Sequence, residues 1–154
     1  MHPSMSRDER EKFLAGVHVG VLGVDDPRAG GGPLLIPVWY DYTPGGTLAV
    51  QTGRDTVKAR LMNAAGRFSL CVQDETAPYR YVSVEGPVVE VTDPADPDVR
   101  ESMAVRYLGA DEAVRYLDAT RDQLRDDITL RMAPRRWRSG DFTSFAQAIA
   151  EATA

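Results

Sequence analysis

Gln51 to Leu70, QTGRDTVKARLMNAAGRFSL, is the stretch whose reading decides the fold. A strand ends at Gln51-Thr52, a tight turn follows at Gly53-Arg54-Asp55, and a short helix starts at about Thr56. Lys58 and Arg60 fall in the first turns of that helix. The opening N–H groups of a helix have no intrahelical partner, and its dipole favours negative charge there. Two hydroxyls (Thr52 and Thr56), nearby cations and free N–H groups therefore converge on an anion site, and the phosphate of a cofactor is the expected anion. Asp55 and Thr56 are also both residue types that cap helices.

Working outward, Ser6 and Glu9 have capping-box spacing and predict a helix over Arg7 to Leu14. Val17 to Val24 alternates as a first strand. Asp25 to Pro33, rich in Gly, turns the chain into a second strand over Leu34 to Tyr42. Leu34, Ile36, Val38, Tyr40 and Tyr42 share one face of it. Pro37 cannot donate to a ladder, so this strand is expected at an edge or at a bulge. Thr47 to Thr52 is a third strand, and the helix from Thr56 to Ala65 is expected to bury Val57, Leu61 and Ala64. Arg67 to Gln73 is a fourth strand, and Tyr79 to Thr92 is long and broken at Gly86-Pro87, either one bent strand or two joined by a bulge. Two helices, Asp98 to Leu108 and Asp111 to Arg125, precede a last strand over Ile128 to Met132. Arg136 to Phe142 extends it, and Ser144 to Ala154 forms a terminal helix. The order predicts a mostly β chain with peripheral helices, an antiparallel split β-barrel in one domain over residues 1–154, with a disordered start over about 1–5. Neither a G-x-G-x-x-G turn nor a Walker-type lysine loop occurs.

The chain has 154 residues, 43% hydrophobic and 27% charged, with net charge −5. That balance fits one globular core and leaves no basic stripe for nucleic acid. Arg135-Arg136-Trp137-Arg138 is too short to serve as one. Cys71 is the only cysteine, so no intrachain disulfide forms, and its alternating apolar context makes it a small core residue. Two histidines, His2 and His18, do not build a His-rich metal site, and no metal is expected. No apolar run reaches membrane-spanning length, and the charged start lacks a signal core, so a cytoplasmic protein without membrane partners is expected.

Three ordered pieces resemble the flavin-binding split barrel of the pyridoxamine-5′-phosphate oxidase-like superfamily, above all its small flavin- and F420-dependent members. They are Val19-Gly20-Val21-Leu22 leading to Pro37-Val38-Trp39-Tyr40, Gln51-Thr52 leading to Thr56-x-Lys58-x-Arg60, and Phe68-Ser69-Leu70 leading to Tyr81 to Gly86. The resemblance implies a homodimer with its cofactor at the subunit interface. It implies that Pro37, Val38 and Trp39 lie along the ring, that Gln51 and Thr52 contact the ring and ribityl chain, and that Thr56 and Lys58 hold the phosphate, helped by Arg54 and Arg60. Val57 stands where the oxidase itself commonly has a basic residue, which argues against pyridoxamine-phosphate oxidation. The implied function is hydride transfer between bound FMN or F420 and a small conjugated substrate. The alternative is a non-catalytic flavin- or tetrapyrrole-binding carrier on the same barrel. No catalytic side chain is assigned: Tyr79, Tyr81 and His18 can each move a proton, but a surface or interface role for the tyrosines and a barrel or interface role for the histidine is the favoured reading.

Overall fold

A computed structural model describes residues 3–154. His2 and Met1, at the start expected to lack order, lie outside the described residues. Pro3 and Met5, from the same start, are tied to the last strand: the Pro3 carbonyl accepts from Asp141 N–H and Met5 N–H donates to Ser139 Oγ.

Helix α1, Arg7–Ala15, begins with the anticipated capping box. Ser6 Oγ accepts from Glu9 N–H, and Glu9 accepts from Ser6 N–H at 2.7 Å. Strand β1, Gly20–Val24, pairs antiparallel with β2, Leu34–Val38. The expected Leu34 to Tyr42 strand is in fact two strands, because β3, Asp41–Tyr42, pairs with β4, Leu48–Gly53. At the break, Tyr40 N–H donates to the Tyr107 hydroxyl at 3.2 Å instead of to a ladder, and Tyr40 donates its own hydroxyl hydrogen to the Leu14 carbonyl at 2.5 Å. Both tyrosines belong to side-chain links that no strand-period pattern encodes.

Helix α2, Val57–Ala65, leads to β5, Arg67–Gln73, and to the long β6, Arg80–Thr92. Helices α3, Pro97–Leu108, and α4, Ala110–Ala119, form a hairpin before β7, Asp127–Met132. Strand β8, Arg136–Asp141, and helix α5, Thr143–Ala152, complete the chain. Helix α4 stops short of the expected Arg125, where Thr120 Oγ1 turns back to the Tyr116 carbonyl. Strand β8 is not an extension of β7: it crosses over and pairs with β6 from Arg80↔Asp141 to Glu85↔Arg136.

The antiparallel strands run in the order β2-β1-β5-β6-β7-β4-β3, with β8 added to β6, and curl into a half-barrel flanked by five helices. Because β2 and β3 are consecutive in the chain yet stand at opposite ends of this path, Trp39 and Tyr40 cross the seam where the barrel is left open. Pro37 accordingly sits on an edge strand, where its missing N–H costs nothing in the ladder. Strand β6 holds the two halves together. Residues before Gly86 pair with β8 and residues from Val88 onward pair with β7, with a register shift between Val88 and Glu90. A Cβ on Gly86 would overlap the Ala133 carbonyl oxygen, so this crossing admits only glycine.

The interior is filled by Leu22, Leu48, Phe68, Leu70, Val82, Leu130 and Met132, with Leu14 of α1 and Met62 of α2 as plugs. Helix α2 buries Ala59, Leu61 and Met62, not Val57 and Ala64. Its packed face is thus rotated from the expected stripe. Val57 at the first helical position reaches past the barrel and is 46% exposed.

Candidate functional site

Thr56 caps α2, and Asp55 does not. The Thr56 hydroxyl donates to the Gly53 carbonyl at 2.8 Å, accepts from Ala59 N–H at 3.3 Å and lies 2.9 Å from Thr52 Oγ1. One hydroxyl has one hydrogen and two lone pairs, so with Thr52 donating to it this group is fully committed. The anion-binding capacity at α2 therefore resides in the N–H groups of Val57 and Lys58, which come before the first intrahelical donor, Arg60 N–H to the Thr56 carbonyl, and in the Lys58 ammonium.

Arg54 is occupied. Its guanidinium grips Asp93 through two bonds of 3.1 and 2.6 Å and reaches Asp126 at 3.1 Å. The two carboxylates push its pKa up, and Arg54 in turn holds Asp93 below the usual carboxylate range. Arg60 is exposed on α2 and makes no ion pair among the described residues.

Pro37, Val38, Trp39, Gln51 and Lys58 line one cavity of about 240 Å³ along the open seam. Strand alternation explains the partition at the end of β4: Gln51 faces the cavity while Thr52, 6% exposed, turns inward toward α2. Gln51 is held in place by donating both amide hydrogens, to the Asp96 carbonyl and to Thr129 Oγ1, each at 2.9 Å. Its carbonyl oxygen is left to accept.

The far wall was not legible in the sequence. It consists of Arg100 and Met103 from α3, Tyr116 from α4, Leu124 and Asp127. Arg100 donates to the Leu124 carbonyl at 3.0 Å and lies 3.4 Å from Asp127, which places that loop over the cavity. Burial pushes the Asp127 carboxyl up, opposed by the positive charges of Arg100 and Lys58. Trp39 stacks on Tyr107 with centroids 4.8 Å apart and planes 10° from parallel, and Tyr116 tilts against it at 5.6 Å. One face of the indole is thus covered by α3, so Trp39 is a packed wall of the cavity. The only signal available for this hairpin was its two helical stretches, which carry no site motif.

The family described as pyridoxamine 5′-phosphate oxidase matches residues 6–141. The chain belongs to this family. No protein of curated function matches the sequence. Among solved structures, the chain is similar to the conserved hypothetical protein Rv2991 from Mycobacterium tuberculosis, at 26% identity and TM-score 0.70, over 92% of this chain and 88% of that one. It also resembles a protein described as an F420 reductase, at 20% identity and TM-score 0.59, over 82% and 94%. A third match is a FAD-binding protein from Mesorhizobium loti, at 20% identity and TM-score 0.60, over 88% and 93%. The latter two likenesses establish the split-barrel fold. Family membership covers the barrel from the α1 cap to the end of β8, and so includes every wall of the seam cavity.

His18, the histidine within the described residues, lies away from this cavity. Its ring packs 4.5 Å from Phe13 and its Nε2 bonds the Phe13 carbonyl. Burial lowers its pKa below the usual histidine value. Among the described residues no cluster of His, Cys, Asp or Glu could hold a metal ion, and no helix is long and apolar enough to cross a membrane.

Proposed function

We propose that the protein is an oxidoreductase that uses a flavin or the deazaflavin F420, with the cofactor ring seated in the seam cavity. The observation that carries this reading is the meeting of Pro37, Val38 and Trp39 with Gln51 and Lys58 around one space, within a family that is named for a flavin-type oxidase. The residues fit such a group. The apolar edge at Pro37-Val38 and the wall at Trp39 suit a planar ring, and the Gln51 carbonyl can accept from a ring N–H. The N–H groups of Val57 and Lys58 and the Lys58 ammonium suit a phosphate.

The bound cofactor supplies hydride transfer to or from a small conjugated substrate. The chain supplies position and electrostatics. Lys58 and the α2 N-terminus anchor the anionic end, Gln51 fixes the ring edge, and Trp39 with Met103 excludes water from one side.

At about 240 Å³ the cavity is smaller than the roughly 300–1,000 Å³ of complete ligand pockets, so one chain supplies only part of the enclosure. A homodimer completes it. Val19, Val21 and Leu35 lie exposed on β1, β2 and the segment before them, beside Pro37, and give that association an apolar face.

The test is titration of the apo-protein with FMN, FAD and F420, followed by anaerobic reduction of the bound form and exposure to conjugated electron acceptors. Tight binding of one cofactor with reoxidation by an acceptor supports the proposal. Binding without turnover would place the protein among cofactor carriers, and no binding of any of the three would overturn the reading.

A further inference from the structure

A second cavity, of about 360 Å³, opens between α1, the turn joining β3 to β4 and the link from β7 to β8. It uses the Arg-Arg-Trp-Arg run that the seam cavity leaves unexplained. Arg7, Arg10, Glu11, Tyr42, Arg135 and Trp137 contribute to its walls. Three guanidiniums therefore face one carboxylate, in a chain whose overall charge is −5. Glu11 is already engaged with Arg7 at 3.6 Å, while Arg10 and Arg135 make no ion pair among the described residues.

Two donors here are buried without an acceptor, Arg10 Nε and the Tyr42 hydroxyl, and Tyr42 is only 4% exposed. Buried polar groups in native proteins are paired almost without exception, so two orphans lining one cationic cavity point to a missing acceptor. The Arg10 guanidinium lies 4.8 Å over the Trp137 ring, which holds its plane and leaves its N–H edge free. Burial and the charge of Glu11 push the Tyr42 pKa up against the Gly45 N–H and the charges of Arg10 and Arg7, so its hydroxyl stays a neutral donor.

We propose that this cavity binds a small tetrahedral oxyanion, phosphate or a phosphate monoester, through Arg10, Arg135 and the Tyr42 hydroxyl. A dianion matches the excess of three arginines over one glutamate, and the several N–H and O–H donors exceed what one planar carboxylate can accept. The site is distinct from the anchor on α2: the two cavities share no lining residue.

The experiment is a titration of the full-length protein with inorganic phosphate against chloride at equal ionic strength, read by Trp137 emission in a Trp39→Phe background and by the melting temperature. We expect saturable binding with Kd of about 1 mM or tighter and a rise in melting temperature. Arg10→Gln and the isosteric Tyr42→Phe should each weaken the binding reported by Trp137 about tenfold, whereas Lys58→Ala, which removes only the separate anchor on α2, leaves that Trp137 response unchanged. Phenyl phosphate in place of phosphate separates the sources: tighter binding assigns an ester, and equal binding the free ion. No response beyond that of chloride would overturn the proposal. So would a response that survives both Arg10→Gln and Tyr42→Phe, or one that vanishes in Lys58→Ala.

Discussion

The two cavities hold comparable cationic side chains in opposite electrostatic states. At the seam, Arg100 shares Asp127 with Lys58, and Arg54 nearby is held by Asp93 and Asp126. Under α1, Arg10 and Arg135 make no ion pair among the described residues, and the one carboxylate of that cavity, Glu11, is engaged with Arg7. In the sequence these residues look alike: a basic residue in or beside a short element. What separates them is where the topology brings the acidic residues. Asp93, Asp126 and Asp127 flank the α3–α4 excursion, whose two ends return to the end of β4, so their charges collect at the seam. Proximity to a helix N-terminus therefore does not tell which cation is available to a ligand; pairing does.

The most disruptive change acts on what joins the two regions. Gly86→Ala forces a Cβ into the Ala133 carbonyl at the point where β6 passes from β8 to β7. We expect it to cost about 3 kcal/mol and to weaken both cavities together, measured by urea unfolding and by ligand titration. Loss of one cavity alone would show that the halves are independent.

Arg100→Met comes next. It leaves the half-buried Asp127 carboxylate without its partner, for which we expect about 2 kcal/mol at neutral pH, allowing for the residual solvent at the pair. The pH dependence follows from the sign of the shift. Because burial raises the folded-state pKa of Asp127, the contribution of this group is greatest below its unfolded value of about 3.9 and is lost as pH rises through the folded value. Without Arg100 the carboxyl moves higher still. The destabilisation by Arg100→Met should therefore be smaller at about pH 4 than at pH 7 in parallel urea melts. An equal loss at both would mean that Asp127 is not the group exposed by the change.

A smaller effect separates two cations four positions apart. Lys58→Ala should weaken cofactor binding about tenfold, and Arg54→Ala about twofold or less, since Arg54 is already spent on Asp93 and Asp126. Equal losses in equilibrium titrations would mean that the ion pair opens on binding. The smallest expected effect is Tyr42→Phe in phosphate-free buffer. Removing a hydroxyl whose hydrogen has no acceptor should change stability by less than about 0.5 kcal/mol, and a larger loss would reveal an acceptor for it within the fold.

Much of the barrel was legible in the sequence because it rests on local rules. The Ser6–Glu9 capping box and the alternation of Arg67 to Gln73 each leave a short-range signature, and the bend expected at Gly86-Pro87 marks where β6 changes partner, with the register shift itself falling between Val88 and Glu90. Pro37 marks an edge or a bulge, and the strand order makes it an edge. The break at Trp39-Tyr40 was not legible, since Tyr107 and Leu14, which take up the polar groups of Tyr40, are remote in sequence or belong to another element. The independence of β8 was hidden for a similar reason: its partner is β6, far back in the chain. In the site, the expected wall of Pro37, Val38 and Trp39 and the positions of Gln51 and Lys58 meet in one cavity. The opposing wall from Arg100 to Asp127 had no motif, because its residues gain meaning only when the α3–α4 hairpin folds back.

The most direct test of the account compares one variant from each cavity in the same cofactor titration. FMN, FAD and F420 are titrated into wild type, Lys58→Ala and Arg10→Gln, with folding of each verified by thermal melting. We expect the cofactor bound by wild type to lose about tenfold in affinity in Lys58→Ala and to keep its affinity in Arg10→Gln. An unchanged Kd in Lys58→Ala, with the loss falling on Arg10→Gln, would contradict this expectation and move the cofactor to the cavity beneath α1.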